Sequence, residues 1–159
     1  MHKSVLRIVD IEPVVTRDDD VEVGLLTCYL ENGDNFVLYN VPPEIARAIA
    51  KLRSDDVYMD YSLDIRETIY ELLIMLSPKL RSIAKHLAMV VIDGFDSRTM
   101  TFKASLFLEI DGIRLRKVMI PSHAIFLALL FNKPIYVTDD VVRISKELEE
   151  GEEEEDFME

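Results

Sequence analysis

The sequence has a single cysteine and no apolar run long enough to cross a bilayer. Cys28 cannot form an internal disulfide, and its apolar neighbours predict a buried thiol in a reducing compartment. The longest apolar run, residues 124–131, has eight residues, whereas a spanning helix needs about 20. Residues 1–10 lack the apolar core of a signal peptide. We therefore expect a cytoplasmic protein that does not enter a membrane.

The strong local motifs of catalysis are also missing. The chain has no glycine-rich phosphate loop, no C-x-x-C pair, no H-E-x-x-H and no G-x-S-x-G. A catalytic function would therefore depend on weaker groupings of polar side chains.

Negative charge is concentrated at the C-terminal end. Nine of the thirty acidic residues lie between Glu147 and Glu159, and removing them changes the net charge from −12 to −3. We expect a folded domain over residues 1–148 and an acidic, disordered tail over residues 149–159. Such a tail would repel nucleic acid and could contact a basic partner.

The first half of the sequence predicts strands followed by helices. Strands are expected over residues 4–15, 21–31 and 36–41, with Asn32-Gly33-Asp34 as a hairpin turn. Pro42-Pro43 leads into a short amphipathic helix. A second helix is expected to open at Asp64, with Glu67 completing a capping box. The apolar residues predicted to form its buried face are Ile65, Ile69, Leu72, Leu73 and Leu76.

From residue 87 the apolar period changes to two. Strands are expected over residues 87–92, 100–110 and 113–120, with Asp93-Gly94 at a junction and Asp111-Gly112 as a type I′ turn. Residues 122–131 predict a helix that is apolar on all sides, buried either by other elements of the chain or by a partner subunit. A strand over residues 134–137 and a helix from Thr138 or Asp139 to about Leu148 follow. This element order predicts one α+β domain with a mixed or mostly antiparallel sheet.

Three groups of polar residues are candidates for chemistry. The first is Pro121-Ser122-His123, at the start of the apolar helix. Free amides at a helix N-terminus attract anions, so a phosphate could bind there. Ser122 would donate a hydrogen bond, and His123 would act as acid, base or metal ligand. The alternative is that Ser122 is an ordinary N-cap and His123 a satisfied polar residue.

The second group is a row of carboxylates around the start of the second helix. Its oxygen atoms could bind a hard cation such as Mg²⁺, although helix capping and solvation explain the same residues. The members of the row are Asp60, Asp64, Glu67 and Glu71.

The third group is basic. Arg114 and Arg116 share one face of a strand, Lys117 follows them, and all three could bind phosphates. The alternative is a solvated face, because the sequence shows no exposed aromatic residues interleaved with these cations. Further basic residues precede the strands, namely Lys79, Arg81, Lys85 and His86.

Two segments resemble the bifunctional nuclease family, also described as a domain of unknown function. They are residues 35–49, NFVLYNVPPEIARAI, and residues 120–137, IPSHAIFLALLFNKPIYV. The matching order of elements extends over most of residues 20–145. The resemblance implies an α+β fold, self-association and hydrolysis of DNA and RNA phosphodiesters.

The chain departs from that family pattern at two places. Ile120-Pro121-Ser122-His123 stands where the family has Arg-Pro-Ser-Asp, and Arg66-Glu67-Thr68 stands roughly where it has Thr-His-Asp. Two hypotheses follow. One is a nuclease assisted by Mg²⁺ or Mn²⁺, and the other is a catalytically inactive oligomeric binding domain, with a dimer favoured. The nuclease would use catalytic Ser122, His123 and Glu67, phosphate-binding Arg114, Arg116 and Lys117, and metal-binding Asp64 and Glu67.

Overall fold

A computed structural model describes residues 4–53 and 66–158, and for residues 152–158 it describes the backbone alone. The first half contains β1 (Val5–Asp18), β2 (Val21–Leu30), β3 (Asn35–Val41), α1 (Pro43–Arg53), α2 (Ile69–Leu76), a 3₁₀ turn (Ser77–Lys79) and α3 (Arg81–Ala84). The second half contains β4 (Leu87–Asp96), β5 (Thr101–Ile110), β6 (Ile113–Met119), α4 (Pro121–Leu130), β7 (Ile135–Thr138) and α5 (Asp139–Met158).

The strands form one seven-stranded sheet in the order β3-β2-β1-β7-β4-β5-β6. The β4–β7 pair is parallel and the other neighbours are antiparallel. Strand β1 joins the two halves, because Val5 to Arg7 pair with β7 while its longer remainder pairs with β2. The α+β fold with a mixed, mostly antiparallel sheet is therefore confirmed.

The core lies between helices and one face of the sheet, which we call the inner face. Cross-strand partners share a face, so the pairs Val90–Ile135 and Ile92–Ala104 mark the inner face. All four side chains are buried and belong to one core with α1, α4 and α5. The predicted thiol at Cys28 is also buried there, and burial raises its pKa.

The opposite, outer face of the sheet is partly open to solvent. A row of cross-strand partners on it runs from Tyr136 through Val91 and Ser105 to Val118. Val118 is exposed, and Tyr136 and Val91 are half-buried. Ser105 alone in this row is fully buried.

The turns of the second half are only partly as predicted. Asp111 and Gly112 have φ values of 52° and 77°, so the predicted type I′ turn is confirmed. The expected junction at Asp93-Gly94 is wrong, because both residues lie inside β4. The register shifts between Ile92 and Gly94, so the extra residue forms a bulge and does not end the strand.

Helix α2 differs from the prediction in its start and in its buried face. It begins at Ile69 with Thr68 as N-cap and Glu71 completing the capping box. The predicted start at Asp64 is wrong, because residues 66–68 are not helical. Asp64 and Ile65 lie outside the described residues. Ile69, Leu72 and Leu76 are exposed, and the side chains that pack on the core are Tyr70, Leu73 and Ile74. Apolar residues on every side of α2 explain the error, because periodicity cannot select a face there.

Helix α5 begins where expected, since the Val141 amide donates to Thr138 Oγ1 at 3.4 Å. It does not end near Leu148 but continues to Met158. Glutamate favours helix, and Gly151 costs about 1 kcal/mol relative to alanine without stopping the helix. The division of the chain at residue 148 remains a prediction.

An ion pair fixes α1 against the β1–β2 hairpin and gives stability a pH dependence. Arg47 Nη2 lies 2.6 Å from Glu22 Oε1, and Arg17 Nη2 lies 3.6 Å from the same oxygen. The Arg47 guanidinium lowers the pKa of Glu22, although burial opposes this shift. When the pKa of a carboxyl is lower in the folded state than in the unfolded state, the ionised carboxylate stabilises the fold at pH values above the unfolded-state pKa. This stabilisation is lost as the pH falls through the folded-state pKa.

We therefore expect Glu22→Gln to lower the free energy of unfolding by about 1–2 kcal/mol near neutral pH. The difference from wild type should shrink as pH falls below about 4. Urea unfolding of both proteins across this pH range measures the difference. Glu147→Gln is the control, because Glu147 is exposed on α5. A difference that does not change with pH would contradict the assignment.

Candidate functional site

A cavity of about 360 Å³ opens where β3, the start of β5, the first turn of α4 and α5 meet. Its walls include the apolar side chains of Leu38, Val41, Phe102 and Leu148. These elements come from distant parts of the sequence, so the cavity exists only in the folded chain.

Ser122 is the most unusual polar group of this cavity. The residue lines the cavity and is 3% exposed, and within the described part of the chain its Oγ has no hydrogen-bond partner. The N-cap of α4 is Ile120, whose carbonyl oxygen accepts from the amides of His123 and Ala124 at 3.1 Å each. Ser122 is therefore not an N-cap, contrary to the simpler of the two sequence interpretations. An unpaired buried hydroxyl costs about 1–3 kcal/mol.

The charge of the cavity does not favour an anion. Among the described residues that line it, Glu149 is the one charged side chain. Tyr39 donates its hydroxyl hydrogen to Glu149 Oε1 at 3.3 Å across the mouth. The phosphate predicted beside Ser122 would meet this carboxylate, with no described lysine or arginine lining the cavity.

His123 points away from the cavity and toward α2. Its ring meets that of Tyr70 edge-on, with centroids 6.2 Å apart, and Tyr70 also meets Phe126 at 5.2 Å. Burial raises the pKa of Tyr70, and the nearby carboxylate of Glu44 adds to the shift. Glu67 is exposed and lies just before α2, about one turn ahead of Tyr70. The start of α2 therefore faces His123, while Ser122 faces the cavity.

The predicted carboxylate row does not form a metal site within the described residues. Asp60 and Asp64 lie outside those residues, so their part in the prediction stays open. Glu71 is already used, because its Oε1 binds Lys51 Nζ at 2.8 Å and its Oε2 accepts from the Thr68 amide at 3.2 Å. Lys51 accordingly lowers the pKa of Glu71. Residues 4–53 and 66–151 contain no cluster of three or more potential ligands, so Mg²⁺ or Mn²⁺ binding remains a prediction.

The predicted phosphate-binding residues are divided between the two faces of β6. Arg116 pairs with Phe107 on the outer face, and Arg114 lies two residues before it on the same face. Lys117 pairs with the core residue Leu106, so it lies on the inner side. The sheet therefore separates both arginines from α4, and the structure does not bring them together with Ser122 and His123.

Arg116 is held by a network that sequence reasoning missed. Its Nε donates to Ser105 Oγ at 2.7 Å, and Ser105 Oγ donates to Asp93 Oδ2 at 2.8 Å. Arg116 Nη2 lies 3.8 Å from the same carboxylate oxygen, and the arginine side chain is 56% exposed. The sequence places Ser105 on the polar face of its strand. Asp93, however, lies at a bulge within β4, whereas we expected it at a strand junction, so the sequence did not predict its contact with Ser105. The network presents a fixed guanidinium to solvent.

The basic segment before β4 has a structural contact. Lys79, Arg81 and Lys85 are exposed, whereas His86 is half-buried. The His86 ring Nδ1 lies 3.0 Å from the carbonyl oxygen of Glu109, and the Glu109 amide donates to the His86 carbonyl oxygen at 2.8 Å. His86 therefore ties this segment to the end of β5.

None of the helices within the described ranges is long and apolar enough to cross a membrane. Compared with known proteins, the chain matches no family model and no curated protein.

Proposed function

We propose that this chain is a self-associating domain of the bifunctional-nuclease type, whose α2 packs against a second copy. The observation that carries the proposal is the apolar surface of α2. Ile69 and Met75 are 65% and 69% exposed, and Leu72 and Leu76 are exposed beside them. We call these four residues the α2 patch.

The α2 patch suits a second copy of the same chain. Its four members carry no charge, so the patch can face itself across a twofold axis without placing like charges together. The edge strand β6 is less suitable, because pairing with a second β6 would place Arg114, Arg116 and Lys117 close to the same three cations of the copy. Large contiguous apolar patches on a protein surface often mark an interface.

The combined substitutions Ile69→Glu and Met75→Glu test this association. We expect the wild-type chain to be a dimer at micromolar concentration and the double variant to be monomeric, because each new carboxylate would have to be desolvated in the interface. Sedimentation velocity measures both. Val21→Glu is the control, since Val21 is 62% exposed in the β1–β2 hairpin, outside the patch. A monomeric wild type would refute the proposal, as would a double variant that associates like the control.

Binding and hydrolysis of nucleic acid is the second candidate function. The resemblance of residues 35–49 and 120–137 supports it, and so does the position of Arg116. This arginine lies beside half-buried Phe107 on the open sheet face, and Tyr136 is on the same face. A guanidinium beside aromatic rings suits a single strand, whose phosphates and bases need those two partners. In the cytoplasm that we expect for this chain, such a strand could be RNA or DNA.

Binding and cleavage are tested separately on single-stranded DNA and RNA. We expect Arg114→Ala with Arg116→Ala to weaken binding about tenfold at low salt, because two phosphate contacts are lost. Arg98→Ala is the control, since Arg98 is exposed in the β4–β5 turn. Cleavage with Mg²⁺ or Mn²⁺ is a separate prediction, because His123 lies on α4, which the sheet separates from the two arginines. Cleavage should be lost in His123→Ala with Glu67→Ala. Cleavage that is unchanged in the His123→Ala, Glu67→Ala variant would reject these two residues as catalytic. Equal binding by the Arg114→Ala, Arg116→Ala variant and the Arg98→Ala control would reject the outer face as the binding surface.

A further inference from the structure

The cavity beside α4 contains a hydrogen-bonding group that the fold leaves unused. Ser122 lines the cavity, and its buried Oγ has no hydrogen-bond partner among the described residues, while α4 is already capped by the backbone of Ile120. Buried polar groups are almost always paired in folded proteins, so an unpaired one requires a reason. A ligand that reaches the Ser122 hydroxyl from the cavity would supply the missing partner.

The walls of the cavity indicate what the rest of that ligand is like. Leu38, Val41, Phe102 and Leu148 give it an apolar lining, and about 360 Å³ is within the range of small-molecule sites. Glu149 at the mouth is the one charged residue among the described lining residues. An anionic ligand would therefore lose its hydration beside a carboxylate without gaining a cation.

The geometry points to a binding site for a small, uncharged molecule with an apolar body and an amide or hydroxyl head. The body lies between β3, β5 and α5, and the head forms a hydrogen bond with Ser122 Oγ at the start of α4. This site is independent of the α2 patch and of the outer sheet face.

Benzamide and benzoate are matched probes, because they share a phenyl body and a similar shape but differ in charge. Titration followed by amide chemical shifts should show benzamide binding with a Kd on the order of 1 mM, as expected for so few atoms. The shifts should centre on the amides of Tyr39, Asn40, Thr101 and Ser122, all of which line the cavity. Benzoate should bind at least tenfold more weakly.

Ser122→Ala separates a binding hydroxyl from a structural one. We expect at least fivefold weaker benzamide binding and an unchanged or higher Tm without ligand, because the substitution removes an unpaired buried group. Ser82→Ala is the control, since Ser82 is exposed on α3, outside the cavity. The inference would be overturned by equal binding of benzoate, by the absence of benzamide binding, or by full benzamide affinity in Ser122→Ala. A Tm lowered by several degrees would also overturn it, because the hydroxyl would then have a structural partner.

Discussion

Phe126→Ala should lower the free energy of unfolding by about 3–5 kcal/mol, the largest effect that we expect from a single substitution. Phe126 is 1% exposed at the centre of α4. Its ring meets Tyr70 edge-on at 5.2 Å, so it also holds α2 against the domain. Truncation removes buried apolar area, leaves a cavity and removes the aromatic pair. Denaturant unfolding monitored by circular dichroism measures the loss.

Phe107→Ala is the matched control for this substitution. Phe107 is half-buried on the outer sheet face and contributes less area to the core. Its loss should therefore cost clearly less than the loss of Phe126. Equal costs would contradict the position of the core between α4 and the inner face.

Gly24→Ala should cost about 3 kcal/mol, at the upper end of the usual penalty for overpacking. A Cβ at Gly24 would lie 2.4 Å from the carbonyl oxygen of Val41 and 3.4 Å from Ala46 Cβ. The obstacle at Val41 is backbone, so it cannot move aside as a flexible side chain would. Strand β2 and the end of β3 would have to separate, and thermal unfolding would show a lower Tm.

Gly151→Ala shows what the same substitution does without a clash. Gly151 is inside α5, and apart from its chain neighbours and the backbone of α5, no atom of the described residues lies within 4 Å of a Cβ built there. Alanine favours helix over glycine by up to about 1 kcal/mol, so this variant should be as stable as wild type or slightly more stable. If Gly24→Ala behaved in the same way, the close approach at Val41 would be incorrect.

The sequence was sufficient to predict those elements whose residue pattern is compatible with only one local structure. The type I′ turn at Asp111-Gly112 depends on positive φ values that few residues adopt, and it was predicted correctly. Helix α4 was placed to within one residue, because Pro121 marks its start and apolar residues follow on every side. The α+β class followed from the order of such elements.

The sequence was not sufficient to predict where α2 begins, which of its faces is buried, or to which side each candidate residue points. Helix α2 carries apolar side chains on every side, so its sequence does not select a buried face. Only the packing shows that Tyr70 is half-buried against the core while Met75 is exposed. A rotation of about 100° per residue in α4 separates Ser122, in the cavity, from His123, against Tyr70. Alternation in β6 likewise separates Arg116 from Lys117.

The cavity was beyond sequence reasoning for a different reason. Tyr39 and Glu149 meet at its mouth although 110 residues separate them in the chain. No local pattern brings these two residues together, because the contact depends on where α5 crosses β3. Of the polar residues that line the cavity, Ser122 alone was a candidate from the sequence, because it is one of two polar residues at the start of an apolar helix.

Association through α2 is tested most directly by an isotope-filtered NOE experiment. One copy carries labelled isoleucine, leucine and methionine methyl groups, and it is mixed with an unlabelled copy. We predict NOEs between copies at Ile69, Leu72 and Met75, whose side chains are exposed within one chain. A dimer whose intermolecular NOEs all lie elsewhere, or the absence of any such NOE, would contradict the account.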